Sequence, residues 1–230
     1  MNRTVLIRFA APLLLTVAFS CGKDEPAPSS TLPTTPEAVS AHDNKSGGVY
    51  KGAIVGSSGV IKVTLQKSVI EMVITIDNTT KTLTCATLSA WTSGELIHNA
   101  LFTADDWEVL FSVGATGTGA TANLNIPDHP DAEAVLTKET SKKIVRVFEG
   151  TYAGSETGIW NFTVQDAVLS GISRSEDGLT TILFDGLVNE TTITLTTIQG
   201  SGTISGDNVS GTWTGSTAGS SGTWTGKRIL

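Results

Sequence analysis

From Gly47 to the C-terminus, apolar and polar residues alternate with a period of two. Short runs of Val, Ile, Thr and aromatics are broken by Gly, Asn, Asp and Ser. This pattern predicts β-strands. The runs are Gly59–Gln66, Val69–Asp77, Lys81–Trp91, Glu95–Phe102, Trp107–Val113, Ala120–Ile126 and Ala132–Thr137. They continue as Lys143–Phe148, Gly158–Val164, Val168–Ser173, Thr180–Leu187, Thr191–Ile198, Gly202–Ser205, Val209–Thr214 and Gly222–Arg228. Helical periodicity is nearly absent, and only Thr137–Val145 reads as a short helical turn. Strands spaced by roughly 8 to 12 residues with turn signals between them predict an all-β, antiparallel meander closed into a β-barrel or β-sandwich.

The pattern repeats. Gly48-Val49-Tyr50-Lys51-Gly52, followed by the run from Gly59 to Gln66, recurs as Gly150-Thr151-Tyr152-Ala153-Gly154, followed by Gly158 to Gln165. The offset is 102 residues at the tyrosines and 99 at the glutamines. A duplicated unit of about 100 residues follows, 47–147 and 148–230, as two small barrels or two halves of a larger one. Near the C-terminus, Ser210-Gly211-Thr212-Trp213-Thr214-Gly215 is copied as Ser221-Gly222-Thr223-Trp224-Thr225-Gly226. Alternation puts Trp on one face and Thr on the other, and the two copies should pair as adjacent strands with their tryptophans close together.

Before Gly47 the chain has a different character. Arg3 and Arg8 precede an apolar run, Phe9–Phe19, which ends in small residues at Cys21. The run is too short to span a bilayer, which takes about 20 apolar residues, and it reads as a signal peptide over residues 1–20. The order basic, apolar, small, Cys resembles the lipobox of bacterial lipoproteins. That resemblance implies cleavage before Cys21, acylation of its sulfur with palmitate-type chains, and a membrane anchor. Ala18 and Phe19 depart from the usual residues of that motif. Residues 21–46 carry Pro26, Pro28, Pro33 and Pro36 among Ser, Thr and Ala, a composition expected of a disordered tether.

The Cys21-Gly22-Lys23-Asp24-Glu25 start and the Gly-x-Tyr-x-Gly and Ser-Gly-Thr-Trp-Thr-Gly motifs resemble those of Bacteroidota-type surface lipoproteins with glycine-rich β-repeats. The resemblance implies an outer-membrane location facing outward. The motifs also resemble small ligand-binding barrels of the avidin and lipocalin kind, although no ligand-contacting position of those families can be carried over.

Composition narrows the partners. Removing Arg3 and Arg8 from the 15 Lys and Arg leaves 13 against 22 Asp and Glu, a formal charge of −9. An acidic chain without a basic cluster repels phosphate backbones, which excludes nucleic acid as a natural partner. With Cys21 acylated, Cys85 is the remaining thiol; it reads as a small buried hydrophobe and not as a reactive group.

The candidate chemistry is thin. Asp128-His129-Pro130-Asp131 with Glu133 gathers oxygen donors that could hold a hard cation, but the spacing matches no calcium loop, and a solvated turn is the reading here. Asp105-Asp106 reads as a charged turn, His98 as a structural strand-end residue and His42 as a solvated one. No nucleophile elbow is present. No cofactor, metal or catalytic residue is assigned, and the chain reads as a non-catalytic module for a glycan, a small apolar ligand or a surface protein. An envelope hydrolase acting on glycan or ester substrates and a purely structural envelope protein are the alternatives. The residues assigned to a ligand are Trp160, Trp213, Trp224, Tyr50 and Tyr152, although with Trp91 and Trp107 they could equally fill a core.

Overall fold

The computed structural model describes residues 32–57, 59–66 and 68–230, so the signal sequence, Cys21 and residues 21–31 lie outside it. Its first eight strands are β1 (Gly48–Val55), β2 (Gly59–Gln66), β3 (Val69–Ile76), β4 (Thr79–Thr84), β5 (Ile97–Ala104), β6 (Trp107–Val113), β7 (Thr121–Asn125) and β8 (Glu133–Glu139). They form one antiparallel sheet in the order β7-β6-β5-β4-β3-β2-β1-β8. β7 and β8 approach one another without a shared ladder, which leaves this unit nearly closed. The next eight are β9 (Val145–Gly154), β10 (Gly158–Gln165), β11 (Val168–Ser175), β12 (Thr181–Asn189), β13 (Thr192–Leu195), β14 (Gln199–Ser205), β15 (Asn208–Thr214) and β16 (Ser221–Arg228). They close into a complete up-and-down barrel, β16 pairing back onto β9.

Alternation in sequence becomes alternation in burial. In β2, Ile61, Val63 and Leu65 point inward while Lys62, Thr64 and Gln66 face out. Tight reversals join the strands, as at Asp77-Asn78, where Ile76 faces Thr79 across the turn. Both turn residues have positive φ, 46° and 65°, a conformation that Asp and Asn tolerate better than other side chains. The run Lys81–Trp91 is cut short, because the chain leaves the sheet at Thr84 and folds Cys85 and Leu88 onto the core through a 3₁₀ turn at Ala86–Leu88. The helical turn expected over 137–145 does not form. β8 stays in the ladder with β1 as far as Glu139, and a bridge between Thr140 and Lys143 reverses the chain into β9.

The first unit is filled by Ile, Val and Leu around Tyr50, Met72, Phe102 and Phe111. Tyr50 meets Phe111 edge-on at 5.5 Å, and Phe111 meets Phe102 at 6.2 Å. Each such fully buried side chain contributes about 1.5–3 kcal/mol. β1 is buried along its whole length because its outward face is covered as well. Ala53, Val145 and Val147 cluster there with Val60, Val135 and the C-terminal Ile229 and Leu230. Polar contacts complete the junction of the two units: Asn161 Nδ2 donates to the Ile54 carbonyl, Gln165 Nε2 to the Lys138 carbonyl at 2.6 Å, and Arg174 Nη1 to the Asp131 carbonyl at 3.1 Å.

Residues 32–46, the described part of the stretch expected to be a disordered tether, are ordered. They form a strap on the first unit, so the folded part begins well before Gly47. The cause is a buried carboxylate. Glu139 is fully buried; its Oε1 accepts the Glu37 and Ala38 N–H groups at 2.5 and 3.3 Å, while its Oε2 accepts Lys51 Nζ at 2.7 Å and the Val145 N–H at 2.9 Å. Asp43 adds a second clasp by accepting the Ser141 N–H and hydroxyl at 2.7 and 2.8 Å. A segment poor in apolar residues is thus held by hydrogen bonds.

Candidate functional site

The glycine-rich repeats of the second unit make room for aromatic rings. Trp213 faces Gly222 across the β15–β16 ladder, and Trp224 faces Gly211. A methyl group at Gly222 would lie 2.5 Å from Trp213 Nε1, and one at Gly211 would lie 2.4 Å from Trp224 Cε2. The two tryptophans are therefore staggered, each lying over the glycine of the other copy. Trp160 uses Gly150 and Gly226 in the same way, with a methyl at Gly150 only 2.3 Å from its ring. The missing Cβ atoms at these glycines leave width for the indoles inside an eight-stranded barrel.

These rings form a floor across the barrel. Trp160 stacks on Phe162 with centroids 4.7 Å apart and planes 12° apart, and Trp224 stands edge-on to Trp160 at 5.3 Å. Trp160 Nε1 donates to the Thr151 carbonyl at 3.0 Å and Trp224 Nε1 to the Thr212 carbonyl at 3.2 Å. Below the floor, Phe148, Val164, Leu169, Val188, Ile193, Ile204 and Val209 fill the interior. Above it the inward positions Gly154, Gly158, Ser173, Gly200 and Gly222 carry almost no side chain. The result is an open cavity of about 540 Å³.

Trp160, Phe162, Phe184 and Trp224 lie at the base of this cavity, and Tyr152, Trp213, Leu195 and Ile182 line its sides. Tyr152 and Trp213 meet at 5.9 Å with planes 87° apart. Ser173, Thr180, Thr197, Gln199, Thr214, Ser216, Thr217 and Ser220 supply hydroxyl and amide groups, and among the described residues Glu156 is the only charged side chain in the lining. Trp213 Nε1 is buried with no hydrogen-bond partner among the described residues, unlike the other two indoles of the cavity. Burial pushes the Tyr152 phenol above its ordinary value, and the nearby carboxylates of Glu156 and Asp177 push the same way. Tyr152 is therefore a neutral O–H donor across the physiological range.

Four of the five residues assigned to a ligand from sequence, Trp160, Trp213, Trp224 and Tyr152, line the cavity together. Tyr50 does not join them. It is fully buried in the first unit, where its hydroxyl donates to the Ser46 carbonyl at 2.7 Å. Strand register gives the reason: Tyr50 faces Val63 in β2, and the equivalent residue of β10, Phe162, is faced by Phe148. Tyr152 lies four residues further along β9, toward the open end. Trp91 and Trp107 pack on the first core, Trp107 beneath Lys81 at 5.1 Å.

The titratable groups are dispersed. His98 Nε2 lies 3.3 Å from Asn99 Nδ2 on the surface, and His129 Nδ1 is 3.9 Å from Asp77. Arg174 takes up Asp131 and Glu133 of the acidic loop at 3.3 and 3.8 Å. Among the described residues, no three His, Cys, Asp or Glu side chains gather as metal ligands do. Asp105 and Asp106 both pair with Lys81, and Cys85 is buried beside the Thr87 hydroxyl. His42, expected to be solvated, instead places Nδ1 2.8 Å from Ser93 Oγ. Burial and then Lys138 and Lys45 lower its basicity, and Asp43 is engaged with Ser141 instead of orienting the imidazole. Neither His42 nor Ser93 lines the cavity.

The sequence carried no signal for the non-aromatic part of the lining, because Ser173, Thr180, Thr197 and Gln199 are ordinary strand and loop residues until the barrel closes. No protein-family model, curated protein or solved structure matches this chain, and its function is read from the cavity.

Proposed function

We propose that the protein is a lipid-anchored, non-catalytic surface lipoprotein of the outer membrane whose second barrel binds a small, mainly apolar ligand. One observation carries the binding reading: an open cavity of about 540 Å³ with an aromatic floor and a hydroxyl-rich upper wall. Ligand sites are clefts of about 300–1,000 Å³ lined mainly by apolar and aromatic groups with a few polar ones. An eight-stranded barrel whose interior is not fully packed has room for one such molecule. The anchor reading rests on the basic, apolar, Cys21 order of the N-terminus. Residues 32–46 fold onto the first unit, and Cys21 lies outside the described residues.

Neutral N-phenyl-1-naphthylamine tests the binding reading by energy transfer from tryptophan. Saturable binding at one equivalent, lost in Ser173→Phe, whose ring would occupy the cavity, is the expected result. Unsaturable binding, or binding untouched by Ser173→Phe in a variant that keeps its circular dichroism, would refute it. For the anchor, labelled palmitate should enter the wild type and not Cys21→Ser.

A further inference from the structure

We infer that the ligand of this cavity is an organic cation, an amine or quaternary ammonium group carried on an apolar body. The inference rests on the binding reading above and adds the charge of the ligand. Three features of the cavity carry it. The first is an aromatic pair: Tyr152 and Trp213 meet edge to face, with planes at 87° and centroids 5.9 Å apart, and both line the cavity. A cation against aromatic faces is attracted by their quadrupoles, and the attraction grows when water is excluded.

The second feature is the sign of the charge. Among the described residues, Glu156 is the only charged side chain in the lining. Asp177 lies on the adjoining β11–β12 loop, held there by the Ser175 hydroxyl at 2.6 Å and the Leu179 N–H at 3.0 Å. The third is the placement of Arg174, whose β11 neighbour Ser173 lines the cavity. Arg174 sits on the outward side of β11, where Asp131, Glu133 and the Gly178 carbonyl take up its guanidinium. A carboxylate or phosphate ligand would therefore enter the cavity facing Glu156 and find no cation among the described lining residues to meet it. A cationic head finds a carboxylate and two aromatic rings, with the aromatic floor below for its apolar part.

The test uses the mature chain carrying Cys21→Ser, which needs no detergent, and isothermal titration calorimetry with three probes of equal chain length kept below micellar concentrations. These are octyltrimethylammonium, 1-octanol and octanoate. The expected order is octyltrimethylammonium tightest, by about tenfold over 1-octanol, and octanoate weakest. Glu156→Gln should lower the ratio of octyltrimethylammonium to 1-octanol affinity, and raised salt should lower it too. Octyltrimethylammonium binding no tighter than 1-octanol or octanoate would overturn the cation assignment and leave the cavity reading intact. An unchanged ratio in Glu156→Gln would also overturn it. Failure of all three probes to bind would overturn the cavity reading itself.

Discussion

Glu139→Gln is the change that most directly tests how the strap and the two units are held together. The Glu139 carboxylate is fully buried and accepts four hydrogen bonds, from the backbone at Glu37, Ala38 and Val145 and from Lys51 Nζ. Glutamine keeps the shape but has one acceptor oxygen instead of two, and its amide nitrogen would face donors. It also leaves Lys51, itself fully buried, with Glu37 at 3.4 Å as its remaining carboxylate. Breaking one side of a buried pair costs about 3–5 kcal/mol. For a folded part of this size each kcal/mol moves the melting midpoint by about 2–4 °C, so a fall of roughly 6–20 °C is expected. Thermal melts followed by far-ultraviolet circular dichroism give the number, and limited proteolysis should find residues 32–46 newly susceptible. Lys51→Met added to Glu139→Gln should recover part of the loss, by about 0.5–3 kcal/mol of coupling. A loss below about 1 kcal/mol for Glu139→Gln, with the strap still protected, would refute this account of the strap.

Two further predictions concern packing and pH. Gly202→Ala would put a methyl 2.2 Å from Trp224 Cζ2 and 2.4 Å from the Ser210 carbonyl; a cost of about 1–3 kcal/mol is expected, with a shifted tryptophan emission, and unchanged stability would contradict this close approach of Gly202 to Trp224. Lys138 donates to the Lys45 and Gly47 carbonyls, yet burial pulls its ammonium down to about 8 from an ordinary 10.5. Below pH 8 both folded and unfolded chains hold this proton, and between pH 8 and 10.5 only the unfolded chain does, so this group makes stability rise across that window. Lys138→Met should lack that rise in chemical denaturation series, and parallel curves for the two proteins would rule it out.

What the sequence showed and what it concealed have separate physical causes. The alternation of Ile61, Val63 and Leu65 with Lys62, Thr64 and Gln66 is a local property, so the strands and the antiparallel class could be read directly. The repeat was equally legible, because Gly-x-Trp spacing places a slot and a ring on one face of each strand. Register is not local. The Gly-x-Tyr-x-Gly likeness aligned Tyr50 with Tyr152, whereas the ladders make Phe148 the counterpart of Tyr50, and this difference of four residues separates a buried core position from a cavity wall. The strap was hidden because its order comes from a carboxylate about 100 residues away in sequence, at Glu139, and not from its own composition. The cavity was hidden because it arises where small inward residues from five strands converge, a condition that no single strand reveals.

The central claim is that the open end of the second barrel holds a ligand, and the five indole N–H signals of the protein test it most directly. Trp160, Trp213 and Trp224 line the cavity, while Trp91 and Trp107 pack on the first core. In a ¹⁵N–¹H correlation spectrum titrated with 1-octanol, the first three indole signals should shift and saturate together while the other two stay in place. Shifts shared equally by all five, or confined to Trp91 and Trp107, would contradict the account.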